Sequence, residues 1–182
     1  MRSSVLTLKE IIIFAILGAI MLISHMAMIM IPNIHLIGLF IAAFTLVYRV
    51  RALIPVYVYV MLYGALYGFS PWWLPYLYIW LPIWGMFMLI GRLQVSVKIK
   101  VPLYMALSAV HGLLFGIMYA PVQAWIFGLN FNGMVAWIIA GLPFDVVHAL
   151  GNLAAGILIV PLSELLKKLN TQANIRQEAA LK

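Results

Sequence analysis

The chain has 182 residues, of which 66% are hydrophobic and only 8% are charged, and its mean hydropathy is +1.13. About a quarter of the residues of an ordinary soluble domain are charged, so this composition excludes that class and indicates an integral membrane protein. The chain has no cysteine, which excludes disulfides and cysteine metal sites. The formal net charge of +7 comes from basic residues between apolar runs, where they act as topology signals, so we expect no nucleic-acid partner.

Six apolar segments follow one another at about 9–31, 34–48, 52–69, 73–91, 101–128 and 133–166. Most are long enough to cross a bilayer as a helix of about 20 residues, although the second is short. Basic residues occur at both ends of the chain and in alternate connections, and the three other connections contain no lysine or arginine. This alternation predicts an all-α bundle of six transmembrane helices with both termini in the cytoplasm. We expect residues 1–168 to form the membrane domain and 169–182 a polar cytoplasmic tail.

A small-residue patch lies in the first segment, where Ala15, Gly18 and Ala19 interrupt a helix of bulky residues. Small residues let helix backbones approach closely in lipid. The patch is therefore a candidate docking surface for a helix of another protein.

The stretch SPWWLPYLYIWLPIW at 70–84 is aromatic and uncharged. Trp72 and Trp73 fall at the outer boundary, where tryptophan commonly rests at head-group level, so we interpret them as anchors and possible lid residues. Tyr76, Trp80 and Trp84 recur at i, i+4 and i+8, which would place them on one helical face, too deep for interface anchoring. That stripe either faces lipid or forms the wall of a pocket.

Polar residues at membrane depth are concentrated in the last two segments. Asp145, His148 and Asn152 share one helical face, and His111 falls at a comparable depth. Asp145 and His148 could form a local pair. The group either is a buried polar knot that pins the fifth segment to the sixth, or forms the floor of a pocket open to the outside. The histidines lack a metal-ligand spacing, so we expect no metal site.

No Walker A, HExxH or GxSxG motif occurs in the chain. We therefore expect no ATP hydrolysis by a P-loop, no catalytic residues and no cofactor in this chain itself. The six segments show no evident duplicated half and are few for a secondary transporter acting alone. A solute-binding subunit that depends on a partner for energy fits this pattern best.

The chain resembles the S components of energy-coupling factor (ECF) transporters, the substrate-binding subunits of bacterial vitamin importers, over about residues 8–168. The resemblance rests on the six-segment layout, the basic inner loops and the stretch FAILGAI in the first segment. The stretches IPNIHLIGLF, IPVYVYVMLYG, PWWLPYLYIW and LPFDVVHALGN are similar to a subgroup from Firmicutes. In this family an AxxxA motif contacts the coupling helices of a transmembrane T component, and Ala15 and Ala19 match its spacing and position.

The resemblance implies a multi-pass protein of the bacterial plasma membrane that captures a water-soluble vitamin from outside. Pyridoxine or hydroxymethylpyrimidine is favoured, with pantothenate or another vitamin as the alternative. The loaded subunit would dock onto the T component, and two ATPase subunits would use ATP to drive release inside. Depth and side-chain chemistry select the substrate-binding candidates, which are Asn33, His35, Trp72, Trp73, Tyr76, Trp80, Trp84, Gln123, Asn130, Asn132, Asp145 and His148.

Two other classes of function stay open at the level of sequence. One is an intramembrane enzyme that uses Asp145 with His111 or His148. The other is a structural or assembly subunit without a small ligand, in which the aromatic stripe faces lipid.

Overall fold

The computed structural model describes the backbone of residues 6–180 and the side chains of residues 6–172. Within that part of the chain the structure is helical, without strands. The helices are α1 (Leu8–Ala27), α2 (Ile37–Tyr48), α3 (Leu53–Tyr67), α4 (Leu81–Ile90), α5 (Val97–Phe127), α6 (Phe131–Gly156) and α7 (Ile159–Ala180). The 3₁₀ segments Arg49–Ala52 and Pro71–Leu77 precede α3 and α4. Arg2 and the last two residues of the predicted tail lie outside the described residues.

Five helical stretches are long and apolar enough to cross a membrane: Leu8–Ala27, Ile37–Tyr67, Pro71–Ile90, Val97–Phe127 and Phe131–Gly156. The prediction of an all-α, multi-pass membrane protein is confirmed at this level. The apolar stretches explain why large hydrophobic side chains stay exposed on the outside of the bundle, where lipid can cover them.

The stretch Ile37–Tyr67 reverses direction at its centre. Arg51, just before α3, forms an ion pair with Glu10 near the start of α1. Tyr63, near the end of α3, stacks on His25 near the end of α1, with ring centroids 4.8 Å apart. The helices α1 and α3 are therefore parallel. Because His35, just before α2, also lies 5.3 Å from His25, α2 runs in the opposite direction to both.

Arg49 makes the reversal between α2 and α3. Its backbone angle φ of +57° lies in a region that residues other than glycine rarely adopt. The helix α4 holds this conformation from two sides. The Arg49 carbonyl accepts a hydrogen bond from Trp84 Nε1 at 3.3 Å, and Arg49 Nη2 donates to the Met88 carbonyl at 2.5 Å. One side chain and one main-chain carbonyl of α4 thus stabilise a turn that local sequence alone would not favour.

The aromatic run does not form one α-helix. Residues 71–77 form a 3₁₀ segment that contains Pro75, and α4 begins only at Leu81. Proline supplies no N–H, so repeated prolines leave too few donors for a continuous i to i−4 ladder. The prediction that Tyr76, Trp80 and Trp84 share one α-helical face is therefore wrong.

The helices α5 and α6 form the closest pair in the bundle. A Cβ atom on Gly112 would lie only 2.6 Å from the Cα atom of Ala149, so glycine is required for this approach. The Gly116 N–H donates to Asp145 Oδ1 at 3.0 Å. Asn152 Nδ2 donates to the Ser108 carbonyl at 3.1 Å. Small residues and buried polar groups together hold the two helices in register.

The sixth apolar segment is divided. The helix α6 ends at Gly156, and α7 begins at Ile159 and continues to Ala180. The predicted start of the tail, at residue 169, therefore falls inside a helix. The Tyr48 hydroxyl donates to Asn170 Oδ1 at 3.4 Å, which places this part of α7 beside the end of α2.

Candidate functional site

All four histidines of the chain converge in the interior. They come from α1, the connection before α2, α5 and α6. Ring centroids lie 5.3 Å apart for His25 and His35, 4.6 Å for His35 and His148, and 6.3 Å for His111 and His148. We refer to these four residues as the histidine cluster. Distant parts of the chain therefore build one site.

Trp80 adjoins the histidine cluster. It is 2% exposed, and its ring centroid lies 6.1 Å from that of His35 and 6.0 Å from that of His111. The Tyr59 ring lies 6.2 Å away and the Phe115 ring 6.0 Å away. Of the two predicted alternatives for Trp80, the structure places it in the interior and not against lipid.

Three rings form a stack at the margin of the cluster. His25 and Tyr63 are nearly parallel, with 5° between their planes, and Tyr63 and Tyr76 lie 5.2 Å apart with 13° between theirs. The Tyr59 hydroxyl is hydrogen-bonded to His25 Nδ1 at 2.7 Å. Trp72 meets Tyr63 edge to face at 5.6 Å. The stack joins α1, α3 and the 71–77 segment by ring faces, which are favoured at these separations.

Side-chain to main-chain hydrogen bonds fix the 71–77 segment over the cluster. They run from Trp73 Nε1 to the Val60 carbonyl (2.9 Å), from Tyr57 to Leu77 (2.8 Å), from Tyr78 to Met118 (2.7 Å) and from Tyr119 to Trp72. Trp73 is buried and its N–H points inward, so the interpretation of Trp73 as an interface anchor is wrong. Trp72 is half-buried.

The cluster contains several buried nitrogen atoms to which none of the described residues offers a hydrogen-bond partner. They are His35 Nδ1, Trp80 Nε1, His111 Nδ1 and His148 Nε2. His111 Nε2 lies 2.9 Å from the Ile79 carbonyl, which can only accept, so Nε2 carries the proton and Nδ1 of the neutral ring is an acceptor. The Trp80 indole is a donor only. The site thus presents both a donor and an acceptor without partners.

The cluster is surrounded by aromatic rings, and the described basic side chains lie far from it. His25 follows Glu10 by fifteen residues, so it lies about 22 Å further along α1 than the Glu10–Arg51 pair. The described basic residues lie towards that distant end of the bundle: Lys9, Arg49, Arg51, Arg92, Lys98, Lys100, Lys167 and Lys168. Burial, reinforced by the neighbouring histidines, lowers the pKa of His35 well below its usual range, so this ring is neutral at pH 7.

The predicted pair of Asp145 and His148 does not form. Asp145 Oδ1 accepts the Gly116 N–H, whereas the His148 ring lies against Phe115, with centroids 4.7 Å apart, and against His35. The two side chains therefore have different roles. Asp145 and Asn152 pin α5 to α6, as the polar-knot alternative predicts, and His148 belongs to the cluster.

Other predicted site residues have partners or positions elsewhere. Trp84 donates to the Arg49 carbonyl, towards the distant end of the bundle. Asn130 accepts the Gly133 N–H at 2.9 Å and so caps α6. Asn132 is exposed, Gln123 is half-buried on α5, and Asn33 is half-buried at a φ of +60° before α2. The predicted residues that do meet in the cluster or at its margin are His35, Trp72, Tyr76, Trp80 and His148.

The geometry of the histidine cluster is the main guide to the function of this chain. No family model, curated protein or solved structure matches the chain. Within the described residues, no group of three or more histidine, aspartate or glutamate side chains is placed to hold a metal ion. Buried aromatic rings that carry nitrogen atoms without hydrogen-bond partners among the described residues are suited instead to recognising a small polar aromatic molecule.

Sequence reasoning missed several ring residues of the site. The substrate-binding prediction did not include His25, Tyr59, Tyr63, His111 or Phe115, all of which have rings in or against the cluster. One signal was present: Tyr59 and Tyr63 are four residues apart, so they share a face of α3. The low number of histidines in the chain was a second signal in the sequence.

The predicted docking patch on α1 is divided. Gly18 is buried, and a Cβ atom there would lie 2.9 Å from the Pro55 carbonyl oxygen of α3, so Gly18 serves internal packing. Ala15 is exposed and Ala19 is half-buried, on the side of α1 where Ile12 and Ile23 are also exposed. Only the two alanines remain accessible to a partner.

Proposed function

We propose that the chain is the substrate-capture subunit of an ECF-type vitamin importer and that it binds a small, uncharged nitrogen heteroaromatic in the histidine cluster. The observation that supports this proposal is the set of buried, unpaired nitrogens beside Trp80. An unsatisfied buried polar group costs about 1–3 kcal/mol, so a ligand that supplied partners to several of them would gain substantial affinity.

The substrate follows from the charge and hydrogen-bonding capacity of the site. Pyridoxine and hydroxymethylpyrimidine each offer a flat ring together with donors and acceptors, which matches a donor at Trp80 and an acceptor at His111. The carboxylate of pantothenate would need a cation or several N–H donors to offset its desolvation. The described basic residues are far from the cluster, so pantothenate fits less well.

The remainder of the proposal concerns topology and partners. The reversal at Arg49 divides one of the five long stretches into two helices, which supports six crossings with both termini in the cytoplasm. The membrane would be the bacterial plasma membrane. The T component would dock on the side of α1 that carries Ala15 and Ala19, and two ATPase subunits would supply the energy.

The purified chain in detergent tests substrate capture directly. We expect pyridoxine or hydroxymethylpyrimidine, added at about 100 times its dissociation constant, to stabilise the folded chain by about 2.7 kcal/mol and to raise its melting temperature. Pantothenate at the same concentration serves as the comparison and should have no effect. If no member of a broad vitamin panel changes the melting temperature, the chain is not a capture subunit.

The docking face is tested by Ala15→Trp. An indole at this position would prevent close helix approach, so we expect co-purification with a T component and its ATPases to be lost while vitamin binding is retained. Leu150→Trp, at an exposed position on α6, is the matched control and should co-purify normally. Normal transport by the Ala15→Trp variant would show that the partner docks elsewhere.

A further inference from the structure

Two adjoining hollows lie on one side of the bundle, one at the end distant from the histidine cluster and the other extending from there along α1 and α2. The first is an apolar groove of about 700 Å³ between α1, α2 and α7, whose walls include Ile16, Ile20, Phe40, Phe44, Leu162 and Leu166. The second is a polar pocket of about 630 Å³ at the turn between α2 and α3. Ile13, Tyr48 and Asn170 line both hollows, so the groove and the pocket adjoin each other at these residues.

The polar pocket has an excess of positive charge. Lys9, Arg49 and Arg51 line it, and Glu10 is its acidic residue. Among the described lining residues, three basic side chains thus stand against one acidic side chain, Glu10, which pairs with Arg51. A site that joins a positively charged pocket to an apolar groove is complementary to a molecule with an anionic head and a hydrocarbon chain.

Arg49 is positioned before any ligand binds. Its guanidinium is oriented by the bond to the Met88 carbonyl, and its main chain by the bond from Trp84. Guanidinium has five donors in a planar fork that suits phosphate oxygens, and one donor is used by Met88. The unusual φ of Arg49 is thus part of a turn that places a residue capable of binding phosphate in the lining of the polar pocket.

The dimensions suit a membrane lipid. From Ile13 to Ile20 the α1 wall of the groove extends about 10 Å, against about 15 Å for the hydrocarbon of one leaflet. We propose that the joined pocket and groove bind one anionic phospholipid, with its phosphate beside Arg49 and Lys9 and one acyl chain along Phe44. This site is separate from the histidine cluster and does not depend on the proposed substrate.

Native mass spectrometry of the purified full chain tests the lipid site. We expect one phosphatidylglycerol to be retained at concentrations at which phosphatidylcholine is lost. Ile16→Trp, which fills the groove, should weaken phosphatidylglycerol retention at least tenfold, and Arg49→Gln should do the same by removing charge. Ile23→Trp is the matched control, because Ile23 is exposed on the same helix but lines neither hollow.

The other outcomes overturn the proposal. Equal retention of both lipids would show that the charge of the pocket does not select a lipid. Normal retention of phosphatidylglycerol by Ile16→Trp would show that the groove does not hold an acyl chain. Inorganic phosphate that displaces phosphatidylglycerol at equal concentration would reveal an anion pocket without a lipid site. If the T component proves to cover the groove and excludes phosphatidylglycerol from the complex, the occupant is a partner protein and not a lipid.

Discussion

Trp80→Phe is expected to weaken vitamin binding by about 10- to 100-fold. The substitution keeps an aromatic face but removes the buried Nε1–H, which has no partner in the protein and would donate to the ligand. Such a hydrogen bond in a buried site is worth about 1–3 kcal/mol, and 1.4 kcal/mol is a factor of ten in affinity. Titration calorimetry of the purified chain in detergent with the vitamin that stabilises it measures the change.

Trp125→Phe is the control for this experiment. Trp125 is 73% exposed on α5, so its loss should leave the dissociation constant unchanged. A Trp80→Phe variant that bound the vitamin as tightly as the wild type would place the ligand outside the histidine cluster. The capture function could then still hold, but the site assigned to it would be wrong.

Gly112→Ala is expected to destabilise the bundle by about 1–3 kcal/mol, the usual cost of overpacking. The added Cβ would lie 2.6 Å from the Cα atom and 2.7 Å from the nitrogen of Ala149, and neither backbone atom can move without shifting α6. Thermal unfolding in detergent should show a clear fall in melting temperature. Binding is expected to weaken in parallel, because His111 and His148 lie on the two helices that would separate.

Gly141→Ala provides the contrast for Gly112→Ala. A Cβ atom on Gly141 of α6 meets nothing within 4 Å, so the same change should be neutral or stabilising. Equal melting temperatures for the two variants would show that the α5–α6 contact is looser than described. The comparison isolates the close approach from the general effect of replacing glycine in a helix.

Much of the bundle could be predicted from hydropathy and the placement of basic residues. These properties act over whole segments, so they locate the helices even when single positions are ambiguous. The 3₁₀ form of residues 71–77 and the reversal at Arg49 could not be predicted with the same rules. The reversal is stabilised by a hydrogen bond from Trp84, which is far away in sequence, whereas the 3₁₀ form is favoured locally by the prolines and is fixed by bonds such as that from Tyr119 to Trp72.

The candidate site was predictable only in part. Depth and side-chain chemistry selected His35, Trp80 and His148 as candidates, and the structure brings their rings together in the cluster. Trp84 was assigned to the site on helical periodicity, but the aromatic run is not one helix and its indole donates to the Arg49 carbonyl. Tyr59 was missed because a tyrosine in an apolar segment resembles an ordinary core residue, and its spacing of four residues from Tyr63 was the one signal that set it apart.

The 71–77 segment and Tyr78 directly after it are hydrogen-bonded to two helices, α3 and α5, which make little direct contact with each other. Trp73 is held by the Val60 carbonyl of α3, whereas Tyr78 is held by the Met118 carbonyl of α5. A movement that widened the space between α3 and α5 would therefore have to break bonds at one of these two attachments. If the histidine cluster binds the proposed ligand and the ligand enters from that side, these two attachments would set the speed of ligand exchange, whereas the residues of the cluster would set the tightness of binding.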